Sequence, residues 1–202
     1  MKEKTIKLSG SKFIGISGFA RSGKDTFYER CKIHLEKEGK KACRFAFADA
    51  LKLECDELLS KYTDISAFTE NKTEKEIVRP LLVSWGTQIR RELDQNCWIK
   101  KIQQDVIDKL VEGYYVFITD VRFKNEAEWI KMNGGLLVNI NREGVGPANH
   151  DEHKQSHFYK KLVSHKIHWP TFGAGEIEKC DEFTLPFLNH VLRLNAQPEM
   201  VL

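Results

Sequence analysis

Lys12-Phe13-Ile14-Gly15-Ile16-Ser17-Gly18-Phe19-Ala20-Arg21-Ser22-Gly23-Lys24-Asp25-Thr26 is the stretch that decides how this chain folds. It begins as an apolar, strand-like run and stops at Gly18; Gly23-Lys24 follow after a short spacer, and Thr26-Phe27-Tyr28 open a helical pattern. A strand, a glycine loop and a helix in that order form an anion cradle. Glycines let successive backbone N–H groups curve round an anion, and the following helix points its positive end at it. Lys24 is placed to reach the outer phosphates as a point charge. The glycine spacing alone carries little; the buried strand before it, the lysine directly after it and the helix beyond carry the reading. One position departs from the common pattern. Where Ser or Thr usually follows the lysine and ligates Mg²⁺ through its hydroxyl, this chain has Asp25, with Thr26 behind it. A carboxylate close to phosphates is repelled unless a cation lies between, so Asp25 is expected to act beside a metal or a hydroxyl.

The 202 residues suit one domain with a small mobile lid and suffice for a sizeable core. A content of 41% hydrophobic and 30% charged residues is that of a soluble globular protein. The net charge of +3 argues against a surface built for a nucleic-acid polymer but leaves room for a local anion pocket. No uncharged stretch is long enough to span a membrane and Met1 to Lys12 lacks the apolar segment of a signal peptide, so a cytoplasmic location is expected. Cys31, Cys43, Cys55, Cys97 and Cys180 are odd in number and widely spread, without a C-x-x-C pair, and read as reduced packing residues.

Lys24 to Glu38 reads as a helix with Phe27, Cys31 and Leu35 inward, closed by Gly39. Ala42 to Ala48 alternates and is expected as a strand with Phe45 and Phe47 on one face, Asp49 at its end capping a helix over Ala50 to Lys61. Tyr62 to Glu76 is polar and without period. Ile77 to Leu93 is helical, with Pro80 tolerated in the first turn, and contains Trp85-Gly86-Thr87-Gln88 and Arg90-Arg91; Asn96 to Val111 is another helix. Tyr114 to Thr119 is a nearly continuous apolar run, the mark of a strand covered on both faces, and leads into Asp120-Val121-Arg122. Asn125 to Met132 is a short helix and Leu136 to Asn141 a strand reaching Arg142. Glu143 to His157 is a candidate mobile segment, Lys160 to Trp169 a short helix and last strand, and Ile177 to Leu192 a helix interrupted near Pro186. This alternation predicts a doubly wound α/β domain. Ligands of such sheets sit beyond the carboxyl ends of the strands, where Gly18, Asp49, Asp120 and Arg142 would lie.

Asp120 is the natural second acid of such a site, holding Mg²⁺ directly or through water, against the alternative of a cap or solvated loop acid. Arg122 could clamp a phosphate or form a surface ion pair. Glu126 could orient Arg122, accept a ribose hydroxyl, or simply favour the helix N-terminus. Arg90 and Arg91 with Trp98 combine phosphate-gripping charge with a flat surface for a base, although the helical pattern equally places Trp98 in the core. His150, His153 and His157 have zinc-compatible spacing but no obvious fourth ligand, and a lid is the preferred reading.

On Ser17-Gly18, Arg21-Ser22-Gly23-Lys24-Asp25-Thr26, Trp85-Gly86-Thr87 through Trp98-Ile99, and Thr119-Asp120-Val121-Arg122 with Glu126, the chain resembles the phage-type deoxynucleoside monophosphate kinases of the P-loop nucleoside monophosphate kinase superfamily, over residues 12 to 157. The resemblance implies a single P-loop kinase domain over 1–202, an α/β fold of three layers (α/β/α) with a parallel sheet, a small lid within 143–157 and acceptor-side helices in 62–112. It implies ATP on Gly18, Arg21, Ser22, Gly23, Lys24, Asp25, Thr26 and Arg142, and Mg²⁺ on Asp25 and Asp120. A deoxynucleoside monophosphate acceptor is implied in the facing cleft on Asp49, Arg90, Arg91, Trp98, Asp120, Arg122 and Glu126, with Lys24, Asp25, Asp120, Arg122 and Arg91 acting in catalysis. His153 and Ser156 fall near the family's lid positions, where Arg142 is the one candidate arginine. The expected partners are small nucleotides, with neither nucleic-acid polymer nor membrane, and pairing into a homodimer is common in this family. Two other readings stand beside it: a P-loop kinase of another small phosphorylated acceptor, of the phosphomevalonate or dephospho-coenzyme A type, and a nucleotide-binding regulatory module.

Overall fold

A computed structural model describes residues 12–147, 160–173 and 175–196. In chain order its elements are β1 (Phe13–Ser17), α1 (Lys24–Lys37), β2 (Ala42–Phe45), α2 (Phe47–Tyr62), α3 (Lys72–Val83), a π-helical stretch (Ser84–Arg91), α4 (Cys97–Val111), β3 (Tyr115–Val121), α5 (Lys124–Met132), β4 (Leu136–Arg142), a 3₁₀ turn (Lys160–Leu162), β5 (His165–Trp169), a second 3₁₀ turn (Ile177–Cys180) and α6 (Asp181–Ala196). The strands form one sheet in the order β2-β3-β1-β4-β5, every neighbouring pair parallel. β1 is central and buried at every position, with Ile14 level with Phe117 on β3 and with Leu136 on β4. The apolar runs of β1 and β3 lack alternation because helices flank both faces of the sheet. The connection from β1 leaves toward β2 and that from β4 toward β5, in opposite directions, so the ligand crevice of such a sheet opens at the carboxyl end of β1.

The chain divides into two compact units, one of Met1–Phe45 with Asp105–Leu202 and one of Ala46–Gln104. In the first, α1 turns Phe27, Tyr28, Cys31 and Leu35 into a core with Ile14, Ile16, Phe117 and Ile140 of the sheet and Phe187, Leu188 and Val191 of α6. The Phe27 ring lies 5.4 Å from Phe187 and 6.2 Å from Trp169. Arg30 and His34 of α1 both reach Asp181 at the start of α6; Arg30 Nε donates to Oδ1 at 2.7 Å and His34 Nε2 lies 2.9 Å from Oδ2. In the second unit Cys55, Ala67 and Val78 form a small core with Leu51, Leu59, Leu81 and Trp85 around them.

Three boundaries differ from expectation. β2 ends at Phe45, and Phe47 opens α2, because Phe47, Leu51, Cys55 and Leu59 recur at helical spacing and that stripe outweighs the short alternation before it. Asp49 is therefore a first-turn acid of α2, and the residue at the cap is Ala46. α3 starts at Lys72, where the Asn71 carboxamide oxygen accepts from Thr73 N at 2.9 Å, so Pro80 sits inside the helix. Pro186 also sits inside a helix, α6, which runs through it without interruption. Both prolines face solvent, where water can serve the carbonyl four residues back that loses its amide. Residues 148–157, with His150, His153, Ser156 and His157, lie outside the described residues. All five cysteines are free, and burial pushes the Cys43 thiol up to about 11.

Candidate active site

The loop leaving β1 is anchored before it begins. Ser17 is fully buried; its hydroxyl donates to the Val138 carbonyl at 3.2 Å and accepts from Asn139 Nδ2 at 3.1 Å, and Asn141 Nδ2 in turn donates to Asn139 Oδ1 at 2.8 Å. From this pinned end the backbone turns through positive φ at Gly18 (147°), Arg21 (63°) and Gly23 (91°). A Cβ at Gly18 would collide with the Ile140 carbonyl oxygen, and one at Gly23 would stand 2.7 Å from the Trp169 ring, so both positions demand glycine on conformation and on space. Arg21 adopts the left-handed region without that freedom, at a cost of about 1–2 kcal/mol. Trp169, at the end of β5, supports the loop from beneath by donating its indole N–H to the Ser22 carbonyl at 3.0 Å.

α1 begins directly at Lys24, with Gly23 at the cap and no side chain capping its first turn, which points the helix's positive end into the loop. Lys24 Nζ spans the loop, donating to the carbonyls of Gly18 and Phe19 at 2.9 Å each. The Ser22 hydroxyl is buried and has no hydrogen-bond partner among the described residues. A glycine cradle, a lysine at its mouth and an unsatisfied buried hydroxyl together fit a bound polyphosphate. Asp25 extends into solvent, its carboxylate 3.9 Å from Arg44 Nε.

Ser17 is in register with Val121, so the end of β3 lies beside the end of β1. Asp120 is half-buried there and Arg122 is exposed. Glu126 is only 1% exposed, and its Oε2 accepts the backbone N–H of Arg122 at 2.8 Å and of Phe123 at 2.9 Å. This carboxylate is engaged by the backbone at Arg122 and Phe123, which of its three readings favours the one in which Glu126 orients Arg122. At the end of β4, Arg142 has a buried Nε with no partner among the described residues. Among the described residues no three His, Cys, Asp or Glu side chains cluster as a metal cage. Asp25 and Asp120 as separate carboxylates fit Mg²⁺, which keeps several waters and binds through one or two carboxylates and phosphate oxygens.

The second unit holds the remaining expected residues. Arg90 and Arg91 end the π-helical stretch, a widened geometry that recurs at functional sites. The Arg90 guanidinium lies over the Trp98 ring at 5.6 Å and its Nη2 donates to Glu54 Oε1 at 3.2 Å. Trp98 itself is 2% exposed and donates its indole N–H to the Gly86 carbonyl at 3.2 Å. It is therefore a core residue that carries an arginine on its face, and the expectation of a platform for a base is corrected. Arg91 donates from Nη1 to the Gln95 carbonyl at 3.3 Å, and Asp49 is half-buried in α2. Gly18, Ser22, Gly23, Lys24, Asp120, Arg122 and Arg142 thus belong to the first unit, and Asp49, Arg90, Arg91 and Trp98 to the second. Three supports escaped the sequence reading: Asn139, Trp169 and Glu54. Trp169 ended a visible alternating run, but nothing local marked Asn139 or Glu54.

A family model described as phosphomevalonate kinase matches residues 16–135, more than half of the chain and inclusive of the loop, Arg90, Arg91, Asp120 and Arg122. A protein of Acanthamoeba polyphaga mimivirus named "Putative deoxynucleotide monophosphate kinase" is 29% identical over 171 residues, covering 76% of this chain and 85% of the relative. A phosphomevalonate kinase of Drosophila melanogaster is 25% identical over 124 residues, covering 61% of this chain and 62% of that protein.

Proposed function

The chain belongs to the phosphomevalonate kinase family, a family of P-loop kinases, and on that premise we propose that it transfers the γ-phosphoryl group of ATP to the 5′-phosphate of a deoxynucleoside monophosphate. The observation that carries the reading is the loop Gly18–Thr26, with its two positive-φ glycines, the buried Ser22 hydroxyl and Lys24 across its mouth. A phosphomonoester acceptor is already largely dianionic near neutrality, since its second pKa is about 6, so no strong general base is needed. The work left to the chain is positioning and charge neutralisation. Lys24 would exchange its two carbonyl contacts for phosphate oxygens, Arg122 would face the transferred group, and Arg90 and Arg91 would hold the acceptor. Asp25 and Asp120 would hold Mg²⁺, which would supply neutralisation of the phosphate charge.

A second acceptor, phosphomevalonate, is favoured by the family model and by the burial of Trp98, which removes one surface for a base. The two readings separate in one experiment. Each deoxynucleoside monophosphate and mevalonate 5-phosphate is offered with Mg·ATP, and ADP release and phosphorylated product are measured. Turnover with deoxynucleotides sustains the proposal; turnover confined to mevalonate 5-phosphate replaces it with the second reading; ATP binding without turnover of any acceptor removes both.

A further inference from the structure

Glu54 has no place in any motif read from the sequence, yet in the second unit it gathers cationic and polar groups from several elements. Its carboxylate accepts from Trp85 Nε1 at 3.0 Å and Arg90 Nη2 at 3.2 Å, and lies 2.8 Å from Lys101 Nζ. The Glu54 side chain is 21% exposed. Burial pushes its carboxyl up, but the hydrogen bonds from Lys101 and Trp85 and the charge of Arg90 outweigh this and hold it below the usual carboxylate range. The Arg90 guanidinium is thus fixed along one edge by Glu54 and across one face by the Trp98 ring, which is itself tethered to the Gly86 carbonyl. Two cations on one carboxylate leave the cluster net positive, and Arg90 Nε is buried without a hydrogen-bond partner among the described residues.

From this arrangement we infer that Glu54 is a positioning residue, which holds the Arg90 guanidinium over the Trp98 ring so that its remaining N–H groups form a preorganised seat for the phosphate of the acceptor. The inference rests on the reading of Arg90 as an acceptor contact. A planar guanidinium offers five donors in a rigid fork. Held by its carboxylate at one corner and its ring face, it loses little rotamer entropy when a dianion arrives, and preorganisation of this kind appears in affinity. Lys101, on the same carboxylate, adds positive charge and keeps Glu54 from fully neutralising Arg90.

The test uses the full chain with Glu54→Gln, Glu54→Asp, Arg90→Ala and the double variant Glu54→Gln/Arg90→Ala. Glu54→Gln is expected to raise KM for the accepted phosphomonoester about tenfold, equivalent to about 1.4 kcal/mol, with KM for ATP within twofold. In the Arg90→Ala background the same substitution should add less than twofold. A merely structural Glu54 would instead raise both KM values and act equally in both backgrounds, and that result overturns the inference. Glu54→Asp keeps the charge but shortens the reach; it should also raise the acceptor KM, and it serves as the test if Glu54→Gln melts early. Calorimetric titration with inorganic phosphate supplies a readout independent of turnover. Its Arg90-dependent component should weaken in Glu54→Gln; an unchanged component, or none in the parent chain, overturns the inference. If no acceptor is turned over while phosphate binding still depends on Arg90 and Glu54, the kinase reading fails and this one stands.

Discussion

Lys24 shows how a single side chain is set in place before any substrate arrives. Its ammonium is satisfied by two loop carbonyls at 2.9 Å, so it waits at the mouth of the cradle and does not wander in solvent. Replacement by alanine removes the charge that meets the phosphates and both carbonyl contacts within the loop, but nothing from the core. Lys24→Ala should lower kcat about 10²–10³-fold, the cost of one electrostatic stabiliser, with a melting temperature within a few degrees of the parent. Arg122→Ala should behave alike, because Arg122 is exposed and its backbone is held by Glu126. Steady-state ADP release with a parallel thermal melt checks both; full activity in either variant removes that residue from the chemistry. Gly18→Ala should fail differently, losing folding stability first, because a Cβ there meets the fixed Ile140 carbonyl.

Among the elements, the start of α5 depends on one buried acid. Removing the Glu126 carboxylate leaves the Arg122 and Phe123 amides without that acceptor, a loss of about 1–3 kcal/mol per buried unmade partner. Glu126→Ala should therefore lower the denaturation midpoint and lower kcat through Arg122. Acceptors with and without a 3′-hydroxyl should be affected equally; a loss confined to acceptors that carry the 3′-hydroxyl would restore the sugar contact. The clamp between α1 and α6 is electrostatic. The hydrogen bond from Arg30 holds the Asp181 carboxyl below its ordinary range, opposed by partial burial and aided by His34. Asp181→Asn should lower stability by about 2 kcal/mol, visible as an earlier thermal unfolding of the full chain.

For the whole molecule these shifts give stability a defined pH course. A carboxyl whose folded pKa is depressed contributes stability that is complete above its unfolded value, near 4, and is lost as pH falls through the folded value. His165 is depressed as well, by burial first and then by His190 and Lys131. Its unfolded form starts to bind a proton near pH 6.5 while its folded form does not, so stability declines as pH drops below about 6.5. Urea midpoints recorded from pH 8 to pH 3 should fall in two stages; His165→Gln should remove the upper stage and Asp181→Asn reduce the lower. A midpoint that stays flat between pH 7 and pH 5 would count against the His165 assignment. No helix among the described residues is long and apolar enough to cross a membrane.

What the sequence by itself determined were features written in neighbouring residues. The loop Gly18–Thr26 was legible because turn, charge and helix start are local, and the strands around Phe13 and Tyr115 because continuous apolar runs need cover on both faces. The tertiary structure alone decided which way the ambiguous side chains turn. Trp98 went to the core because Gly86 offers it a buried carbonyl, and Glu126 turned inward because two strand-end amides needed an acceptor. Trp169 became the floor of the loop across 147 residues of chain. Each of those outcomes depends on groups that become neighbours only when the sheet and the helices have formed, and spacing along the chain carries no record of that proximity.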